Sequence, residues 1–170
     1  DVYVTIYAGG YGSTNMEDEI GENKYLSFIK IHNSFIGSFY TKGIEAARVT
    51  AAHEFHHAIQ VGNYIYRDSD RFYFELTSTS MEEFVYDHVN DYYNYIKSYF
   101  NKPNRRFTRF DFSNDGYDVS IWNIFLREKF ASQTPNTGDE IIKRSWELMS
   151  GKNQRAIIAL QNSLSEFGYS

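Results

Sequence analysis

Ala51-Ala52-His53-Glu54-Phe55-His56-His57-Ala58-Ile59-Gln60 is the stretch on which the reading of this chain turns. Within it, His53-Glu54-Phe55-His56-His57 fits the pattern H-E-x-x-H. On a helix, His53 and His57 lie one turn apart on one face and can share a metal ion. Glu54, beside the first ligand, can then reach a water bound to that metal. A chain of this composition carries the pattern by chance only about once in a hundred, so it outweighs a bland reading as an exposed polar helix face. The flanking Ala51, Ala52, Ala58 and Ile59 point to burial.

Working outward, residues 44–61 read as a helix former, and the run of Ala suits a helix pressed by neighbours on several sides. Gly62 is the expected C-terminal cap. Upstream, residues 1–8 alternate Val2, Val4 and Ile6 against Tyr3, Thr5 and Tyr7, and residues 25–32 form a second expected strand. Residues 9–24 are polar, hold four Gly and read as a surface loop. Downstream, residues 71–86 and 91–100 predict helices, the latter capped by Asn90 or Asp91 and stopped at Pro103. Asn114-Asp115-Gly116 marks a turn. Helical patterns follow over 117–130, 139–149 and 154–167. Strands first and helices later predict an α+β class.

The 170 residues suit one domain spanning 1–170, with 42% hydrophobic and 18% aromatic residues to build a core. A net charge of −5 gives no basic footprint for nucleic acid, and no apolar run approaches a bilayer span. With no cysteine, disulfides, thiolate zinc sites and a thiol nucleophile are excluded. The chain opens on Asp1-Val2-Tyr3-Val4 and reads as a mature or excised part of a longer protein.

A metal site that does chemistry needs three protein ligands and an open position. A third His in an extended H-E-x-x-H-x-x-G-x-x-H pattern would require Gly and His where Gln60 and Asn63 stand. A di-iron site needs a second E-x-x-H unit, and there is none. A carboxylate on a following helix remains. Glu75 is the best candidate, the only charge in Phe72-Tyr73-Phe74-Glu75-Leu76-Thr77-Ser78-Thr79-Ser80-Met81, where a half-buried acid calls for a cation or hydrogen bonds. Glu82, two turns on, suits an orienting role behind a ligand. His56 reads as a packing neighbour and Asp68 and Asp70 as loop acids. Tyr92, Tyr93, Tyr95, Ile96, Tyr99 and Phe100 read as core with a wet rim, and Trp122, Phe125 and Trp146 as core.

His53-Glu54-x-x-His57 followed after 17 intervening residues by Glu75 resembles the gluzincin metallopeptidases. The wording over 52–60 and Glu75 to Glu82 is closer still to bacterial secreted metalloproteases of that kind. The resemblance covers about residues 49–86, and more loosely the helix from Tyr117. It implies a zincin-like fold, a twisted sheet whose edge strand binds substrate backbone, followed by the zinc-bearing helices. It further implies Zn2+ on His53, His57 and Glu75, Glu54 as general base, a protein or peptide substrate, and a secreted or cell-envelope location. A later Tyr or His completes such sites as oxyanion donor. Tyr117 resembles the Tyr before the aminopeptidase-like helix, and His88 competes with it. Asn15-Met16-Glu17 resembles the G-x-M-E-N element of aminopeptidases, although its glycine spacing differs. Leu76 and Thr79 depart from the family, where a Gly follows the third ligand in one branch and an Asp stands four residues on in the other. The expected activity is zinc-dependent peptide-bond hydrolysis. The competing expectations are a non-catalytic zinc-containing binding or structural module, and a metal-free interaction domain.

Overall fold

The computed structural model describes residues 1–6, 9–108 and 116–169. It is α+β, a small three-stranded sheet followed by six α-helices among the described residues. Strands β1 (Val2–Thr5), β2 (Gly12–Gly21) and β3 (Lys24–His32) lie in the order β1-β3-β2. β1 runs parallel to β3, with Val2 opposite Ile29, and β2 runs antiparallel to it, with Gly12 opposite Ile31. β3 is thus the central strand, consistent with its Phe28, Ile29 and Ile31.

The strand β2 corrects the expectation of a surface loop over 9–24. As an outer strand it needs only one hydrogen-bonded neighbour, and Glu17, Asp18 and Glu19 sit exposed on it. Such charges are common on sheet edges, where they discourage pairing with other chains, and they hide the strand from a search for apolar alternation. β1 forms where expected but ends at Thr5, and Tyr7 and Ala8 lie outside the described residues. Its four residues are all exposed.

Helix α1 (Gly43–Asn63) packs across β3 and β2 and then against α2 (Arg71–Val85). α1 passes straight through Gly62, contrary to the expected cap. It ends where Tyr64 turns extended, at φ −120 and ψ 162, while its N–H still bonds Gln60 O at 2.9 Å. α2 is enclosed along nearly its whole length, Phe72 to Ser80 without a break. Ser78, Thr79 and Ser80 are small enough for α1 and α4 (Ser120–Lys129) to close on it from either side. Asn123 of α4 donates to Ser80 Oγ at 2.5 Å.

The apolar core lies on the far side of α2. Tyr73, Phe74 and Leu76 pack there with Ile141, Trp146, Leu148 and Met149 of α5 (Thr137–Gly151) and Ala156, Ala159 and Leu160 of α6 (Ala156–Glu166). Asn136 caps α5, its side chain accepting from Gly138 N at 2.8 Å. Trp122 packs at the edge of this core and Trp146 inside it, but Phe125 is 54% exposed and is not a core residue. α3 (Tyr93–Asn101) buries none of its own residues. Neither Asn90 nor Asp91 caps it by a side-chain bond, since Asp91 is turned elsewhere. No helix is long and apolar enough to cross a membrane among the described residues.

Candidate metal centre

The site forms where α1 crosses α2, below β2. The i, i+4 spacing brings the imidazoles of His53 and His57 together, with Nε2 to Nε2 at 3.0 Å. From α2, Glu75 Oε2 stands 3.2 Å from each of those nitrogens. All three residues belong to one group able to hold a metal ion. The second Glu75 oxygen faces Arg71 Nε at 3.8 Å.

What surrounds the three atoms sets their protonation. Glu82 Oε1 lies 2.6 Å from His53 Nδ1, so an ionised Glu82 accepts that ring N–H. Gln60 Oε1 lies 2.7 Å from His57 Nδ1. The Gln60 amide is fixed in this sense because its Nε2 donates to Phe74 O at 3.1 Å and Thr77 Oγ1 at 2.8 Å. Thr77 Oγ1 spends its own hydrogen on Tyr73 O at 2.8 Å. With both Nδ1 atoms protonated, the two neutral rings present bare Nε2 lone pairs. Three acceptors then converge with no donor between them. Only a cation satisfies such a set, either a metal or a proton held on one ring.

The electrostatics say the same. Burial opposes a charge on His53, but its bonds to Glu75 and Glu82 outweigh that and hold its pKa well above 6.5. Glu75 is likewise buried, yet His57 and the bonds to both rings keep it well below the ordinary carboxylate range. Burial drives Glu82 up to about 7 against the pull of His53, with Asp91 and Glu54 adding to the rise. A metal on Nε2 would reverse this balance by repelling the proton from the cluster.

His56 is not a ligand. Its Nδ1 lies 3.0 Å from both Ser78 Oγ and Gln60 Nε2, and burial, then His57 and His53, lower its pKa to about 3. It is a neutral acceptor supporting the same network. Asp70 pairs with Arg155 at 2.9 Å and Asp68 accepts from Tyr66 at 2.9 Å, so both loop acids stand elsewhere. His88 lies 3.1 Å from Glu45 near the start of α1 and cannot serve as the oxyanion donor in this arrangement.

Glu54 is buried, and the single hydroxyl hydrogen of Thr14 of β2 is shared between its Oε2 at 2.9 Å and its backbone O at 2.8 Å. β2 comes this close because Gly12 carries no side chain. A Cβ there would stand 2.7 Å from Thr50 Cγ2, 2.8 Å from Lys30 O and 3.1 Å from Glu54 Cγ. Within the Asn15-Met16-Glu17 segment, Glu17 is exposed and Asn15 donates to Ser13 Oγ at 2.9 Å.

Tyr117 opens a 3-10 turn, Tyr117–Val119, that leads into α4. Gly116 before it has φ 118 and presses on the Phe72 carbonyl, where a Cβ would be 2.3 Å from the oxygen. Asp118 behind it is buried and paired with Arg105. This anchoring sets the Tyr117 ring 5.7 Å from the His53 ring and 5.2 Å from Tyr95. Burial, followed by Glu75 and Glu54, holds its pKa well above 10. It remains a proton donor at any ordinary pH.

Three residues matter here to which the sequence reading assigned no role in the site. Gln60 fixes His57, Thr14 fixes Glu54, and Asp91 lines the adjoining cavity. Gln60 sits three residues after His57, a helical spacing that could have flagged it. Thr14 and Asp91 depend on contacts across the fold. No protein-family model, curated protein or solved structure matches the chain.

Proposed function

We propose that this protein is a zinc-dependent peptidase with a zincin-like arrangement of the gluzincin type. One observation carries the reading. His53 Nε2, His57 Nε2 and Glu75 Oε2 converge without a donor among them, and Glu54, the residue after the first ligand, lines a cavity together with His53. Two nitrogens and one carboxylate oxygen form the donor set of catalytic zinc.

Zinc held by His53, His57 and Glu75 would supply a Lewis acid, which lowers the pKa of bound water to about 7. Glu54, positioned by the Thr14 hydroxyl, takes the proton as water attacks the scissile carbonyl and then delivers it to the leaving amine. The Tyr117 hydroxyl donates to the carbonyl oxygen as that oxygen gains charge. Glu82 and Gln60 hold the two imidazoles in the tautomer that leaves Nε2 bare. β2 has no strand on its outer edge among the described residues. An extended peptide can therefore add to it beside Glu54, pairing by main-chain hydrogen bonds.

The test is hydrolysis of casein and a mixed peptide library by the zinc-loaded protein, with and without chelator, beside Glu54→Gln. Activity is expected to fall by about 10²–10⁴-fold in the variant, with zinc retained. A wild type no faster than Glu54→Gln on every substrate would leave a zinc-containing binding or structural module.

A further inference from the structure

Beside the His53 ring lies a cavity of about 220 Å³, walled in part by Tyr11, Glu54, Glu82, Asp91, Tyr95 and Tyr117. No Lys or Arg lines it among the described residues. Of its three carboxylates, Glu54 is bonded by Thr14 and Glu82 by His53. Asp91 differs. It is 4% exposed, and the hydroxyl of Thr41 and the amide of Asn94 both bond the same oxygen, Oδ1. Oδ2 has no hydrogen-bond donor among the described residues. The loop position that sequence would give to a helix cap instead points an acid into a cavity.

An acid that is nearly buried yet keeps one oxygen free toward a cavity is open to a charge partner that enters there. The Asp91 field is felt around the whole cavity. Tyr11 and Tyr95 are both held above their ordinary range, by burial first and then by charges that include Asp91 and Glu82.

We infer that this cavity is a binding site for a protonated amine or guanidinium of the substrate, held by Asp91 Oδ2. The carrier of that cation, a peptide, rests on the peptidase reading, but the cation preference itself does not. A Lys or Arg side chain and a free peptide N-terminus share this chemistry.

The experiment is peptide binding to zinc-loaded Glu54→Gln protein, which separates recognition from turnover, with wild-type hydrolysis measured on the same set. One series of blocked hexapeptides carries a single Lys at successive positions, each matched by norleucine. A second series compares free with acetylated N-termini. One position or terminus is expected to favour the cation by about 10–100-fold, as a charge-assisted hydrogen bond does. Adding Asp91→Asn, which keeps the bond from Thr41, should bring that ratio to near one. Lys preference in the first series assigns the site to a side chain, and amine preference in the second assigns it to the terminus. Equal binding of charged and neutral peptides, binding of neither, or a preference that survives Asp91→Asn overturns the inference. The charged-versus-neutral comparison needs no change at 91, so a poorly folded variant does not rescue it. Hydrolysis without charge preference defeats the cation site alone, and preference without hydrolysis defeats the peptidase reading alone.

Discussion

Replacing Gln60 by Met tests how the imidazole of His57 is held. Gln60 is 1% exposed, and Met fills a similar volume, so the packing loss is small. What disappears is polar. His57 Nδ1 loses its acceptor at 2.7 Å and keeps Ser78 Oγ at 3.1 Å, while Thr77 Oγ1 and Phe74 O lose a donor. Buried groups left without partners cost about 1–3 kcal/mol, and that is the expected loss of stability of the metal-free protein in urea. The tautomer with hydrogen on Nε2 is no longer disfavoured, and it cannot ligate. Metal affinity should then fall by about 10–100-fold, as for other partners that orient a ligating His. Competition against a chelator of known affinity measures it. A variant less stable by the expected amount yet within about twofold of wild type in affinity would refute the orienting role and leave Gln60 as packing.

The remaining predictions concern the strand above the site, the proposed donor and the proton balance. Gly12→Ala should cost about 1–3 kcal/mol by overpacking, because two of the contacts of the new Cβ fall under 3 Å and one is the Lys30 carbonyl; an unchanged urea midpoint would contradict this. Tyr117→Phe should lower kcat by about 10²–10³-fold while leaving metal content intact, and kinetics indistinguishable from wild type would remove Tyr117 from the mechanism. In the metal-free protein the raised His53 pKa places a proton where the metal binds. Affinity should therefore climb about tenfold per pH unit up to that pKa and level off above it. Calorimetry at pH 7 in buffers of different ionisation heat should show net proton release on metal binding, and heat independent of buffer would sink the point.

The helix pair carrying the site was legible because both of its signals are local. H-E-x-x-H fixes a spacing on one turn, and Glu75 is a lone charge among buried positions. The structure brings these residues together with Glu82 behind His53, and it sets Tyr117 beside that ring. β2 was not legible, since its exposed edge carries acids and its Met16 and Ile20 face outward, leaving no apolar alternation to read. Gly62 misled because a glycine inside a helix and one that ends it look alike until the next residue's backbone is known. Asp91 looked like a cap because Asp before a helical pattern usually is one. Besides Asn94, its side chain is bonded by Thr41, fifty residues away, a contact that only the fold supplies.

The central claim is that His53, His57 and Glu75 hold zinc, and the metal content of the purified protein tests it most directly. Elemental analysis should find one zinc per chain, lost in both His57→Ala and Glu75→Ala. X-ray absorption should show two nitrogen neighbours at about 2.0–2.1 Å and oxygen at about 2.0–2.2 Å. Protein that takes up no stoichiometric metal when offered zinc, or that binds it equally well in the two variants, would contradict the account.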